Sequence, residues 1–177
     1  MMAGVPMVLL LNILGFFAGL LGMEAVAWAT HRYVMHGVGW AWHKGHHEPR
    51  RGWFELNDLF AFVFAGVAIA LFAVGALPGW SPLWWAGLGA TAYGVVYAVF
   101  HDGLVHDRWG WGLKPRGRYL EGLVQAHKLH HAAVGRDDAV SFGFLRPVDA
   151  PRLAAEFRAK RVRSRSAAAP AEIEPAE

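Results

Sequence analysis

His127-Lys128-Leu129-His130-His131 decides how this chain is read. On a helix, residues i, i+3 and i+4 share one face, so the spacing predicts three imidazoles converging on one point. His43-x-x-His46-His47 repeats the pattern upstream. Two wider pairs, His31 with His36 and His101 with His106, complete the ten histidines of the sequence. Neutral imidazole is the commonest protein metal ligand, and this sorting predicts a polyhistidine metal site. A closed structural zinc site needs four ligands. Ten imidazoles fit better as two metals with four or five ligands each and open positions. Iron and copper both accept such ligands. The x4 pairs sit awkwardly on an ideal helix. They are expected at a helix end or bulge, or facing different metals. Asp102 and Asp107 each follow a histidine and are candidate orienters of its ring, with capping as the alternative reading.

Outward from the histidines the chain is apolar. Hydrophobic residues make up 55% of the 177, with nine Trp and eleven Phe. The formal net charge is +3, but all seventeen Lys and Arg lie in two blocks, Arg32 to Arg51 and Arg108 to Arg165. No charged residue occurs between Leu59 and Phe100, and Glu24 alone precedes Arg32. Cysteine is absent, which excludes disulfides and any thiolate metal site or iron–sulfur cluster held by this chain.

Val5 to Thr30, Leu59 to Leu77 and Leu83 to Phe100 are each long enough to span a bilayer. A signal peptide is the rival for the first, but no Lys or Arg precedes it and its apolar run is too long. Pro78-Gly79-Trp80-Ser81-Pro82 marks the turn between the other two. A soluble buried hairpin would need more surrounding chain than 177 residues provide. The expected fold is therefore an all-α integral membrane protein, with about three transmembrane helices and cytoplasmic helices carrying a di-metal site. Both basic blocks follow odd-numbered spans, so the positive-inside rule puts them, and every histidine, at the cytoplasmic mouth. Glu24, within the first span, is a candidate functional acid and possible neighbour of the ligands; the alternative is an interfacial position.

Beyond the spans, Pro49 and Gly52 interrupt any helix at the second cluster. Tyr119 to His131 is predicted helical, and Ser141-Phe142-Gly143-Phe144-Leu145 a short strand or extended piece covering the site. Pro151 to Arg165 reads as a basic amphipathic helix. Leu153, Ala154, Phe157 and Val162 would face the surface, leaving Arg158, Lys160, Arg161, Arg163 and Arg165 for anionic headgroups or an acidic partner. Residues 1–165 are expected as one membrane-embedded domain and 166–177 as a disordered tail.

The order of the four clusters resembles the membrane-bound fatty acid hydroxylase superfamily. More narrowly, HRYVMHGVGWAWHKGHHEPRRGWFELNDLF (31–60), HDGLVHDRW (101–109), QAHKLHH (125–131) and VSFGFL (140–145) resemble the bacterial β-carotene 3-hydroxylases. That resemblance implies a non-haem di-iron oxygenase of the bacterial inner membrane, with His31, His36, His43, His46, His47, His101, His106, His127, His130 and His131 holding two Fe ions. It implies insertion of one atom of O2 at C3 of a β-ionone ring, from β-carotene to β-cryptoxanthin and zeaxanthin. The lipid bilayer would deliver the carotenoid substrate and a ferredoxin-type donor the electrons; no nucleic acid is expected as a partner. Without cysteine or a nucleotide-binding loop, the chain must take electrons from outside. Tyr33, Trp42, Phe54 and Phe100 are expected as core packing, or as lining of the ring pocket. The alternatives are another membrane di-iron oxygenase (desaturase, ketolase, sterol or fatty acid hydroxylase) and a non-enzymatic membrane metal-binding or transport protein. The last would want ionisable groups inside the spans, which the second and third lack.

Overall fold

Apolar runs long enough to cross a bilayer can satisfy all their backbone groups within one segment only as helices. The computed structural model describes residues 4–50, 52–133, 135–146 and 149–168. Six α-helices occur in it: α1 (Gly4–Ala29), α2 (Trp40–His43), α3 (Leu59–Ala76), α4 (Pro82–Tyr97), α5 (Arg118–His131) and α6 (Ala150–Ala168). Among the described residues there is no strand. Three helical stretches have the length and hydropathy to cross a membrane: Met7–Val38, Leu56–Ala76 and Pro82–Val105. The first and third extend past the apolar run seen in the sequence, because π-helical turns over Thr30–Val38 and Ala98–Val105 continue α1 and α4.

α1 and α4 lie against each other in parallel. The pairing is set by small residues, which let backbones approach where no side chain intervenes. A Cβ added to Gly15 would lie 2.4 Å from the Pro82 carbonyl oxygen, and one added to Gly19 would lie 2.1 Å from that of Ala86. The register thus advances four residues on both helices together and brings their C-terminal ends, with His31/His36 and His101/His106, to the same level. α3 and α4 form the antiparallel hairpin that Pro78 to Pro82 predicts. Gly79 takes φ +81° in its turn, Ser81 N–H donates to the Gly75 carbonyl at 2.9 Å, and Pro82 opens α4 where its missing N–H costs nothing.

At the histidine end, a capping box at Glu55 and Asp58 starts the second span, leading into α3 after the polar loop. α5 begins one residue before the predicted Tyr119. α6 starts at Ala150 and runs to Ala168; residues 169–177 of the expected tail lie outside the described residues, as does Arg51. The apolar face of α6 is not turned outward as the sequence suggests. Leu153 and Phe157 are buried with Ala126, Val140 and Phe142, so α6 docks on α5 and on the segment after it. Val162 remains largely exposed, and Lys160 donates to the Ala139 carbonyl at 2.8 Å.

Candidate metal centre

A π turn is what makes the x4 pairs workable. Its i→i+5 hydrogen bonding widens the helix until residue i+5 returns over residue i. His106 N–H donates to the His101 carbonyl at 3.0 Å in this way, and Gly39 N–H to that of Val34 at 2.7 Å. His31 and His36 therefore face the same point, as do His101 and His106.

The ten imidazoles form two groups. His31, His36, His43 and His130 bring one ring nitrogen each within 4.8 Å of one another, and His46, His106, His127 and His131 do the same. His47 joins the first group, its Nε2 3.2 Å from that of His43. His101 joins the second, its Nε2 3.2 Å from that of His46. The expected convergence of each His-x2-His-His triplet is thereby corrected. Positions i and i+4 (His43 with His47, His127 with His131) share a group, while His46 and His130 cross to the other. The two groups straddle the triplets, so each triplet serves both groups. The rings of His47 and His131, stacked at 4.7 Å, mark where the groups meet.

The outward nitrogens are tied down. Nδ1 of His31 donates to the Phe142 carbonyl (3.0 Å), His36 to that of Arg136 (2.8 Å), and His130 to that of Val140 (3.0 Å). His43 donates to Asn57 Oδ1 (2.7 Å), His46 meets Glu55 Oε2 (3.2 Å), and His101 meets Asp102 Oδ1 (2.7 Å). Carbonyl oxygens only accept, so the ring proton sits on Nδ1 and Nε2 presents a lone pair. Yet Nε2 of His31 faces Nε2 of His43 at 3.1 Å, and His36 faces His130 at 3.1 Å. Two lone pairs cannot bond to each other; a cation between them resolves the contact. Burial keeps the rings neutral. Outside the spans it pushes His43 down to about 3, and His47 and His106 to about 4, and it lowers His46, His127, His130 and His131 as well, with neighbouring imidazoles adding to the effect. Ring-orienting acceptors and neutral donors are what transition-metal binding requires, so the residues present fit two metal ions.

Of the three acids singled out in the sequence, Asp102 alone meets a histidine. It also pairs with Arg108, at 3.5 Å, which in turn forks onto Asp58. Asp107, at φ +46°, accepts from Gly112 N–H in a turn. Glu24 accepts from Tyr93 and from the backbone of Phe144 and Leu145. Glu55 and Asn57 escaped the sequence reading. Their signal was available: polar side chains clustered at the foot of an otherwise uncharged span.

Two cavities reach the histidines from opposite directions. One, of about 520 Å³, runs between α1, α3 and α4 past Phe64, Ala68 and Tyr93, and ends at His31, His101 and His127. Its walls are mostly apolar, and Phe142 and Phe144 close its inner end. The other, of about 240 Å³, is lined mainly by charged and imidazole side chains, with His46, His106, His127 and His131 beside Glu55, Arg108 and Lys128. Tyr33 and Phe54 line neither, being 62% and 57% exposed, and neither do Trp42 and Phe100. The expected extended piece over 141–145 does cover the site, but without strand pairing.

Curated relatives extend these observations. The chain is 57% identical to a protein named beta-carotene hydroxylase from Pseudescherichia vulneris, over 77% of each chain. It is 50% identical to one of the same name from Pantoea ananas, over 83% of each. A third so named, from Paracoccus sp. (strain N81106 / MBIC 01143), is 52% identical over 78% of this chain and 86% of its own. No solved structure matches. The fatty acid hydroxylase family profile matches residues 16–150, a span that takes in the second half of α1, all of α4 and all ten histidines. The chain belongs to the fatty acid hydroxylase family.

Proposed function

We propose that the chain is a β-carotene 3-hydroxylase of the bacterial inner membrane, with its histidines at the cytoplasmic side. The reading rests on the relatives' shared name and, above all, on one observation: an apolar cavity between membrane-spanning helices that ends at histidines of both groups. A volume of about 520 Å³ is of the size that takes one end of a large apolar ligand. Such a substrate dissolves only in the bilayer, and the cavity lies at bilayer depth. Tyr97, stacked on His101, and Phe142, edge-on to His31, are placed to hold a ring against the site and exclude water.

Two Fe ions are the proposed metals, held by His31, His36, His43, His47 and His130 on one side and by His46, His101, His106, His127 and His131 on the other. Bound iron supplies the activation of O2. The protein orients the ligand rings through Asn57, Glu55, Asp102 and the backbone carbonyls, keeps the imidazoles unprotonated, and presents the ring carbon. The cavity lined by charged and imidazole side chains supports delivery of protons and electrons from the aqueous side, with a ferredoxin-type protein as donor. Residues 1–165 act as one domain.

Expression in a β-carotene-producing bacterium tests the reading. Chromatography is expected to show β-cryptoxanthin and then zeaxanthin, both rings reacting in turn because the substrate's ends are equivalent. A 4-keto or desaturated product would move the chain to a neighbouring activity, and an unchanged pigment would end the proposal. A reporter between Gly79 and Pro82 is expected in the periplasm and one after Glu177 in the cytoplasm.

A further inference from the structure

Glu24 meets no histidine, and it is half-buried in the first span. A carboxylate at that depth is costly unless its lone pairs are occupied. Three donors occupy them: Tyr93 Oη at 2.8 Å on one oxygen, and the N–H groups of Phe144 and Leu145 at 2.8 and 2.9 Å on the other. Bonds to a charged acceptor are roughly twice as strong as neutral ones. The segment so held is the one whose carbonyls fix two ligand rings, Phe142 O on His31 and Val140 O on His130. Phe142 and Phe144, both buried, form the inner wall of the apolar cavity.

Two further features fit a segment under restraint. Ser141 adopts φ +59°, a left-handed conformation that a side chain tolerates only where the surroundings enforce it. A Cβ on Gly143 would lie 3.1 Å from Glu24 Oε1, so the backbone approaches the carboxylate as closely as a glycine permits.

We propose that Glu24 is a positioning residue that clamps residues 140–145 across the inner end of the cavity, fixing the rings of His31 and His130 and selecting which substrate carbon faces the metal groups. The selection rests on the carotenoid-hydroxylase reading above; the clamp does not.

Hydrogen–deuterium exchange on the full-length protein in detergent, with and without added iron, tests the clamp. Glu24→Ala is expected to speed exchange at the Phe144 and Leu145 amides by about tenfold or more, the loss of at least one charge-assisted bond. Glu24→Gln keeps an acceptor oxygen without the charge and is expected to fall between Glu24→Ala and wild type. Tyr93→Phe removes the third donor, and Gly143→Ala crowds the carboxylate; both are expected to loosen the segment if Glu24→Ala does not accumulate. Unchanged exchange at both amides in Glu24→Ala, or in the pair that replaces it, overturns the proposal. In pigment-producing cells the 3-hydroxy share of product is expected to fall in Glu24→Ala, with hydroxyls at other ring carbons, and to recover in part in Glu24→Gln. Unaltered regiochemistry in Glu24→Ala removes the selecting role. A wild-type chain that makes no hydroxycarotenoid ends the functional reading and leaves the exchange result standing.

Discussion

His36 Nε2 stands 3.1 Å from His130 Nε2, across 94 residues of sequence, with neither nitrogen carrying a proton to share. His131, the next residue after His130, points instead at His127, 2.8 Å away in the other group. Adjacent side chains on one helix thus belong to different histidine groups. His130→Ala is expected to weaken metal binding at the first site and His131→Ala at the second, each protein retaining fewer than about two irons per chain after dialysis, since each variant removes one imidazole from its group. Both are expected to insert normally, because insertion depends on the spans. Metal analysis of purified protein checks it; two irons retained in either variant removes that histidine from the ligand set.

Acid should act on the metal-free protein in a defined window. Burial holds His47 and His106 at about 4 and His43 at about 3, against an ordinary value near 6.5. Below pH 6.5 the unfolded chain takes up protons that the folded chain refuses, so stability falls with pH. The loss begins near 6.5 and continues to about 4, where the folded rings begin to titrate. Thermal melts of the iron-free protein at pH 7.5 and 5.0 are expected to show a lower midpoint at 5.0. Bound iron competes for the same lone pairs and is expected to narrow that difference.

A third expectation concerns the helix crossing. A Cβ on Gly89 would lie 2.0 Å from the Phe16 carbonyl oxygen and 2.7 Å from Leu20 N, both backbone atoms of a facing helix. Neither can swing aside, so α1 and α4 must separate. Gly89→Ala is expected to cost about 1–3 kcal/mol, the usual range for overpacking, and to lower the melting midpoint in detergent. Gly94→Ala, on the same helix but with open space around it, is the control and is expected to melt with wild type.

Spans, histidine grouping into four clusters, and the bulges at His-x4-His were legible because each is a local matter of hydropathy or spacing. Spacing also places His127, His130 and His131 on one face of α5, but a face is wide enough to touch two neighbours, and only the arrival of His36 and His46 from elsewhere divides it. The orienters show the same limit. Asp102 could be suspected because it adjoins His101, whereas Asn57 meets His43 only after the loop at Pro49 folds back. The outward face assigned to α6 failed for a related reason: its apolar residues specify burial, not against what, and α5 with Val140 and Phe142 proved to be the cover. Gly15 and Gly19 carried the helix crossing in plain view, as a small-residue repeat within the first span.

Entry to the apolar cavity yields the last expectation. Ala61 and Ala65, one turn apart on α3, line the cavity and yet are exposed on the membrane-facing surface. A residue that meets both belongs to a mouth, so the cavity opens sideways between helices into the lipid. Enlarging an exposed side chain overpacks nothing, which separates passage from folding in a way that filling the cavity at the buried Ala68 or Ala90 does not. Ala65→Trp is accordingly expected to leave the melting midpoint and iron content at wild-type values while cutting carotenoid conversion severalfold. The deficit should appear as slower first hydroxylation, with mono- and dihydroxylated products in reduced yield and unchanged ring position, because the inner wall at Phe142 and Phe144 is untouched. Full conversion by Ala65→Trp would place the entrance elsewhere.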